Sequence, residues 1–126
     1  PEKEVGVYPV TLTEDGQNDP LLKGFSNPFP VIHWHNDMPG LTANCALLAY
    51  SAGCPRQIVR YKPNVYGFQC HLEITRDGIE TMIAAVPEDL KPSTYTQSAQ
   101  ELMQQDYASI NRTMLTILDR FFETKI

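Results

Sequence analysis

The 126-residue sequence contains no apolar run that approaches the roughly 20 residues needed to cross a membrane, and no signal-peptide pattern. Basic residues are also few, since 10 Lys and Arg stand against 15 Asp and Glu and give a net charge of −5. We therefore expect neither nucleic acid nor a membrane as a partner. An apolar content of 42% still predicts a packed globular protein.

Cysteine is scarce and does not have the pattern of a disulfide framework. The three cysteines are odd in number and irregularly spaced, which favours reduced thiols and a cytoplasmic protein. Cys45 and Cys70 lie within apolar runs, and Cys54 lies at a turn. None stands in a glycine-flanked turn between a strand and a helix, so the sequence offers no candidate thiolate nucleophile. A nucleotide-binding glycine loop is absent as well.

The most informative stretch that is present covers residues 65–75, VYGFQCHLEIT. A β-prone run delivers His71 and Glu73 two residues apart and then meets Thr75, a good helix N-cap. Residues i and i+2 of a strand lie on one face, so the two side chains can interact. A carboxylate beside an imidazole is the usual means of orienting a general base. The pair is therefore a candidate for catalysis, although a buried histidine paired with a carboxylate gives the same spacing.

The remaining pattern predicts one domain over residues 1–126, with strands in residues 4–73 and helices in residues 75–126. Turn residues at 14–20 end the first strand, and the sequence at 62–64 predicts a hairpin. The first helix begins after Thr75 and ends at Pro87. We expect strands at residues 5–12, 29–34, 45–50, 57–61 and 65–70.

A longer final helix is expected from about Thr94 to the C-terminus, with Ser98 and Glu101 as an alternative capping box slightly inside it. Its apolar seam predicts a face that packs on the sheet, or alternatively on a helix of another subunit. The seam consists of Ala99, Met103, Tyr107, Ile110, Met114, Ile117 and Phe121, and Leu102, Leu115, Leu118 and Phe122 widen it.

A second constellation is formed by His33, His35 and Asp37, which alternate along one strand. Together with His71 and Glu73, the two histidines offer the ligand set of a zinc or non-haem iron centre. A metal-binding module that uses His33, His35, His71 and Glu73 is therefore one alternative function.

Several motifs resemble the class I glutamine amidotransferase family, in its stand-alone, GMP-synthase-like branch. Residues 67–75 resemble the closing motif G-x-Q-F-H-x-E-x-T, with Cys70 in place of the usual Phe. Four further segments match in the right order, and the matches cover roughly residues 4–75. They are EVGVYPV at 4–10, DPLLKG at 19–24, VIHWHND at 31–37 and CPRQ with RY at 54–57 and 60–61.

The resemblance implies an α/β, flavodoxin-like fold and a glutaminase with a Cys-His-Glu triad. His71 matches the triad histidine and Glu73 the triad carboxylate, while Trp34 and His35 lie in the segment that helps to hold the substrate, L-glutamine. The family's nucleophile lies in a G-x-C-x-G elbow upstream of the strand that residues 4–10 match, and this sequence has none. We therefore expect the C-terminal portion of the domain, with mixed or antiparallel strands followed by two helices, inactive by itself, with no cofactor and no metal.

Two alternatives to a truncated portion remain open, a natural inactive paralogue and a non-catalytic dimerising subunit. Loss of the N-terminal strands would expose sheet edge and apolar helix surface, so a homo-oligomer is expected. The resemblance leaves open the ammonia acceptor, any synthetase partner, and whether a γ-glutamyl compound replaces glutamine.

Overall fold

The computed structural model describes residues 2–123 and contains one six-stranded sheet with helices packed against it. The strands are β1 (Glu4–Leu12), β2 (Phe29–His35), β3 (Ala46–Tyr50), β4 (Ile58–Lys62), β5 (Val65–Phe68) and β6 (Tyr95–Thr96). The helices are α1 (Glu14–Asn18), α2 (Arg76–Ala85), α3 (Ala99–Met103) and α4 (Tyr107–Glu123), with a 3₁₀ turn at Pro87–Leu90.

The sheet runs in the order β2-β1-β3-β4-β5 with antiparallel neighbours, and β6 adds a short parallel pairing to β1. The longest pairing joins β1 to β2, from Glu4 opposite His35 to Val10 opposite Phe29. Beyond β5 the chain does not leave the sheet. His71 forms an isolated antiparallel bridge with Ile32 of β2. The segment that follows β5, at one edge of the sheet, therefore meets β2 at the other edge, and the sheet is curled.

The five strands expected from apolar, β-branched runs are all present, with ends that differ by one or two residues. Turn residues 62–64 join β4 to β5 in the expected hairpin. The hydrophobic core lies between the sheet and the helices. Its buried side chains include Val5, Val10, Leu22, Val31, Ile32, Leu48, Ile58, Leu72, Ile79, Leu102, Ile110 and Ile117.

The turn cluster expected at residues 14–20 is in part a helix. Thr13 caps α1 because its hydroxyl accepts a hydrogen bond from the Gly16 amide at 3.0 Å. The same polar residues that favour turns also favour a helix N-cap and first turn, so the sequence pattern did not separate the two.

The single long helix expected from Thr94 is wrong, because the segment forms β6, α3 and α4. Gln97 holds the first part in an extended form: its side-chain amide bonds both the N–H and the C=O of Val7, each at 3.0 Å. Gly6 leaves room for this contact, since a Cβ there would lie 2.6 Å from the Gln97 side chain. The Ser98–Glu101 capping box then starts α3.

The α4 helix begins after Asp106, whose carboxylate accepts a hydrogen bond from the Ser109 amide at 3.0 Å. The expected seam faces inward, with Tyr107, Ile110 and Ile117 buried. Of the residues that widen the stripe, Leu102 is buried, whereas Leu115, Leu118 and Phe122 are 61%, 39% and 62% exposed. The expected end of this helix, residues 124–126, lies outside the described residues.

Within residues 2–123, no helix has both the length and the apolar character that a membrane span requires.

Candidate active site

His71 is positioned by backbone pairing beyond the end of β5. The Gln69 amide donates to the Gln57 carbonyl at 2.8 Å and so extends the β4–β5 pairing. The chain then reaches β2, where His71 and Ile32 exchange two backbone hydrogen bonds of 2.7 and 2.8 Å. The histidine therefore lies on a backbone fixed from both sides rather than on a free loop.

The side chains of His71 and Glu73 meet, as their spacing suggests. His71 Nδ1 lies 3.1 and 3.3 Å from the two carboxylate oxygens of Glu73. Since a carboxylate only accepts, Nδ1 carries the proton and Nε2 is the basic nitrogen. The His71 side chain is 34% exposed and the Glu73 side chain 58% exposed. The pair is accessible and is not a core histidine satisfied by a buried neighbour.

Two helices fix the segment that carries this pair. Thr75 caps α2 through a hydrogen bond from the Gly78 amide at 3.2 Å. From α4, the Asn111 side chain donates to the carbonyls of Leu72 at 2.8 Å and Ile74 at 3.0 Å. Asn111 thus bonds the backbone on both sides of Glu73. No sequence motif near residue 111 indicated this role, because the contact joins residues almost 40 positions apart.

Trp34 lies on the surface of a polar cavity of about 340 Å³ that Lys3, Asn36 and Asp89 also line. Its indole N–H donates to the Asp89 carboxylate at 2.8 Å, which fixes the ring at one wall. In addition, the side-chain amide of Gln69 donates a hydrogen bond of 2.8 Å to the Asp37 carboxylate, which ties the segment after β2 to the segment that carries His71.

His35 was expected to contact substrate, and the structure turns its ring into the interior. The side chain is 2% exposed, and its Nδ1 lies 3.2 Å from the Asp37 carbonyl. Burial lowers the pKa of His35, although the nearby Glu4 carboxylate opposes that shift. His35 therefore borders the cavity, but its imidazole is almost fully buried.

A buried polar cluster lies inside the curl of the sheet, and it consists of Glu4, His33, His35, Ser51 and Gln57. Gln57 Nε2 donates to Glu4 Oε1 at 2.7 Å and to Ser51 Oγ at 2.9 Å. The Ser51 hydroxyl donates to the other Glu4 oxygen at 2.8 Å. Burial lowers the pKa of His33 to about 4, so this imidazole is neutral near pH 7. Sequence reasoning missed Glu4, Ser51 and Gln57, since three different strands and loops bring them together.

The four-residue metal set that the sequence offered as an alternative is not assembled. His33 and His35 lie beside Glu4, and in the part of the chain that the structure describes these three form a group with ligand atoms within 4.8 Å of one another. His71 and Glu73 do not join them. The bridge that pairs His71 with Ile32 puts its side chain on the sheet face opposite to that of His33, because neighbouring strand residues point to opposite faces.

Two of the comparisons with known proteins find relatives that match nearly the whole chain. No family model matches it. The glutamine amidotransferase-like protein YfeJ of Salmonella typhimurium is 46% identical over 122 residues, which are 94% of this chain and 51% of that protein. The chain is a homologue of glutamine amidotransferase-like proteins. It spans about half the length of the relatives it matches, which is consistent with the expected portion of the domain.

Solved structures confirm that the fold is the one seen in class I glutamine amidotransferases. The crystal structure of SMU.1228c is 43% identical and superposes with a TM-score of 0.89, covering 97% of this chain and 53% of that one. A glutamine amidotransferase from Methylobacillus flagellatus is 21% identical with a TM-score of 0.85, covering 98% and 53%. One from Thermotoga maritima, also 21% identical, has a TM-score of 0.79 and covers 97% and 52%.

Two of the three cysteines are unsuited to act as nucleophiles. Cys54 and Cys70 are 1% and 2% exposed. Burial raises the pKa of both thiols, that of Cys70 to about 12. The third, Cys45, is partly exposed and accepts a hydrogen bond from the Thr42 amide on the loop before β3.

Proposed function

We propose that this chain carries the proton-transfer half of a glutamine amidotransferase site, with His71 as the base and Glu73 as its orienting carboxylate. The accessible 3.1 Å contact between the two side chains is the observation that carries the proposal. Homology to a glutamine amidotransferase-like protein supports it independently. The nucleophilic cysteine of the Cys-His-Glu triad is proposed to lie outside these 126 residues.

In the proposed reaction, His71 Nε2 takes the proton of the cysteine thiol, and the thiolate attacks the side-chain amide carbon of L-glutamine. The C–N bond breaks as the imidazolium returns the proton to the departing nitrogen, so that ammonia and an acyl-thioester form. His71 Nε2 then deprotonates a water molecule, which attacks the thioester and releases glutamate and the thiol. Glu73 keeps the proton on Nδ1 and stabilises the charged imidazolium.

The substrate is proposed to lie beside the segment that begins at Trp34. The cavity there is polar, and Asp89 fixes the indole at its wall. His35 contributes through backbone groups in this proposal, since its ring is buried. Ammonia passes to an acceptor or a synthetase partner whose chemistry these residues leave open.

The wider setting proposed for the chain is a cytoplasmic homo-oligomer with no nucleic-acid or membrane partner. A non-catalytic dimerising subunit is the second candidate function. It is favoured by the exposed apolar side chains Leu115, Leu118 and Phe122 along one side of α4. The two candidates differ in whether His71 takes part in chemistry once a thiol is supplied.

The proposal predicts that the 126-residue chain alone releases no glutamate from L-glutamine above the buffer background, because a base without a nucleophile forms no acyl-enzyme. A coupled glutamate assay at high protein concentration measures this, with His71→Ala as the matched control. Release that disappears in His71→Ala would show that these residues already contain a complete site, and would overturn the proposed location of the nucleophile.

A further inference from the structure

The buried cluster on the inner face of the sheet has a distinctive donor and acceptor pattern. His33 Nε2 lies 3.0 Å from the Tyr8 carbonyl, and His35 Nδ1 lies 3.2 Å from the Asp37 carbonyl. A carbonyl oxygen only accepts, so each imidazole carries its proton on the nitrogen that faces the backbone. The opposite nitrogens, His33 Nδ1 and His35 Nε2, therefore present lone pairs to each other at 3.4 Å and to Glu4 Oε1.

The protons available inside the cluster do not match these acceptors. Gln57 Nε2 has two hydrogens, and its short contacts commit them to Glu4 Oε1 at 2.7 Å and Ser51 Oγ at 2.9 Å. Its distances to the two imidazole nitrogens are 3.3 and 3.4 Å, which are long for hydrogen bonds. Three acceptor atoms with one full negative charge thus converge where a cation would satisfy all of them.

The geometry of the converging atoms fits a small metal ion. In a tetrahedral site with bonds of about 2.0–2.1 Å, neighbouring ligand atoms lie about 3.4 Å apart. The separations among Glu4 Oε1, His33 Nδ1 and His35 Nε2 are 3.4, 3.4 and 3.7 Å. Gln57 Nε2, at 2.7 to 3.4 Å from each of them, lies at the fourth corner.

Gln57 is the fourth residue beside these atoms. The residue is fully buried, and its Oε1 has no hydrogen-bond partner among the residues that the structure describes. A half-turn of the amide exchanges Oε1 and Nε2. With an ion bound, that turn would place the oxygen at the fourth corner as a ligand.

The burial and the charge of Glu4 also favour a bound cation. Glu4 is 1% exposed, and the two imidazoles are its ion-pair partners within 4.0 Å among residues 2–123. A buried carboxylate between neutral groups carries a large desolvation cost unless a cation neutralises it. Metal-bound histidines commonly donate their other N–H to a backbone carbonyl, as both rings do here.

We propose that Glu4, His33, His35 and Gln57 form a structural site for a divalent transition-metal ion of the zinc class. The ion would join β1 and β2 to the start of β4 and would fix the backbone that leads to Trp34. The site uses neither His71 nor Glu73, so it goes beyond the proposed glutaminase and does not depend on it. It also differs from the four-residue ligand set that the sequence offered as an alternative.

The test is zinc binding by the full 126-residue chain after removal of metal with a chelator. We expect one zinc ion per chain by calorimetry and by elemental analysis. Binding should raise the unfolding temperature by roughly 5–10 °C at a free zinc concentration of about 100 times Kd. Substitution of Co²⁺ should give the visible absorption of a tetrahedral site. Failure to bind one equivalent of zinc overturns the proposal.

Variants locate the ion. Glu4→Gln and His35→Gln should weaken zinc binding by more than about 100-fold, the upper end of the loss that removal of an outer partner causes. His71→Gln is the matched control, because it removes the chain's other histidine and should leave the affinity unchanged. Zinc binding lost only in His71→Gln would place the ion elsewhere and would overturn the site.

X-ray absorption of the zinc-loaded wild-type chain needs no variant, and it decides the question if Glu4→Gln and His35→Gln fail to fold. Two imidazoles with oxygen ligands in a four-coordinate shell would support the proposal. A shell with one imidazole or none would contradict it. Glutamine hydrolysis is not a readout in any of these measurements, so their outcome is separate from that of the proposed function.

Discussion

At the scale of single residues, the chemistry of this chain is set by which side chains the fold leaves accessible. His71 and Glu73 pair at the surface, whereas His33 and His35 are enclosed within the curl of the sheet. Histidines two residues apart on β2 share one face and one environment. Of the three histidines, only His71 has a side chain with substantial solvent exposure, 34% against 0% for His33 and 2% for His35.

Burial of the thiols leads to a prediction about alkylation. Iodoacetamide reacts with thiolates, and Cys54 and Cys70 are both buried with a raised pKa. We expect the native chain at pH 8 to take one label, at Cys45, and the denatured chain to take three. Peptide mapping by mass spectrometry reads the sites, and Cys45→Ser should leave the native chain unlabelled. Rapid native labelling of Cys70 would contradict this view.

The raised pKa of the Cys70 thiol leads to a second prediction, that the chain loses stability at alkaline pH. Burial raises the pKa of Cys70 from 9.0 to about 12. Above pH 9 the thiol loses its proton in the unfolded chain but keeps it in the folded chain. The contribution of this thiol to the stability of the fold is therefore complete below pH 9 and is lost as the pH rises towards 12. The free energy of unfolding should fall by about 1.4 kcal/mol per pH unit above pH 9 from this group. Urea titrations at pH 8 to 10.5 test it, and Cys70→Ala should have a flatter profile. Equal slopes would exclude the thiol as the cause.

At the scale of elements, α4 positions the candidate site through one side chain. Asn111 bonds two carbonyls on either side of Glu73. Asn111→Ala would leave both without this partner and should lower the free energy of unfolding by about 1–3 kcal/mol. Asp119→Ala, at an exposed position of the same helix, is the matched control and should change it by less than about 0.5 kcal/mol. A similar, small effect of both substitutions would contradict the role given to Asn111.

The strands could be predicted from the sequence because β1, β2, β4 and β5 are apolar runs bounded by proline, glycine and polar turns. The break between α3 and α4 could not be predicted in the same way. The apolar seam continues in step from Ala99 to Phe121 across the interruption at residues 104–106, so its periodicity gives no sign of it. The extended form of residues 95–97 depends on Gln97 and Val7, which are 90 positions apart.

The candidate site also has one part that the sequence predicts and another that it does not. His71 and Glu73 are two residues apart, so local strand geometry brings them together and the sequence alone suggests the pair. Glu4 beside His35, and Asp89 beside Trp34, depend on sheet register and on the packing of a 3₁₀ turn. Single-sequence patterns carry no information on such contacts.

At the scale of the whole molecule, one side of α4 remains apolar and exposed. Leu115 and Phe122 are 61% and 62% exposed, and Leu118 beside them lines a cavity of about 300 Å³ with Val65 and Phe121. Contiguous apolar surface of this kind favours association. We expect light scattering to show a homo-oligomer, and Leu115→Lys with Phe122→Lys to shift it to monomer.

The control for this prediction is Glu80→Lys, which adds positive charge at an exposed position of α2 and should leave the oligomer intact. A monodisperse monomer for the unaltered chain would contradict the expected association. It would also contradict the second candidate function, a dimerising subunit.

The most direct test of the central claim joins this chain to the half of the YfeJ protein that it does not match, and measures glutamate released from L-glutamine. The account predicts release that His71→Ala abolishes and that Glu73→Gln lowers by about 10²- to 10⁴-fold, while the 126 residues alone stay at background. A folded hybrid that releases no glutamate, or one whose rate is unchanged by His71→Ala, would contradict the assignment of His71 as the base.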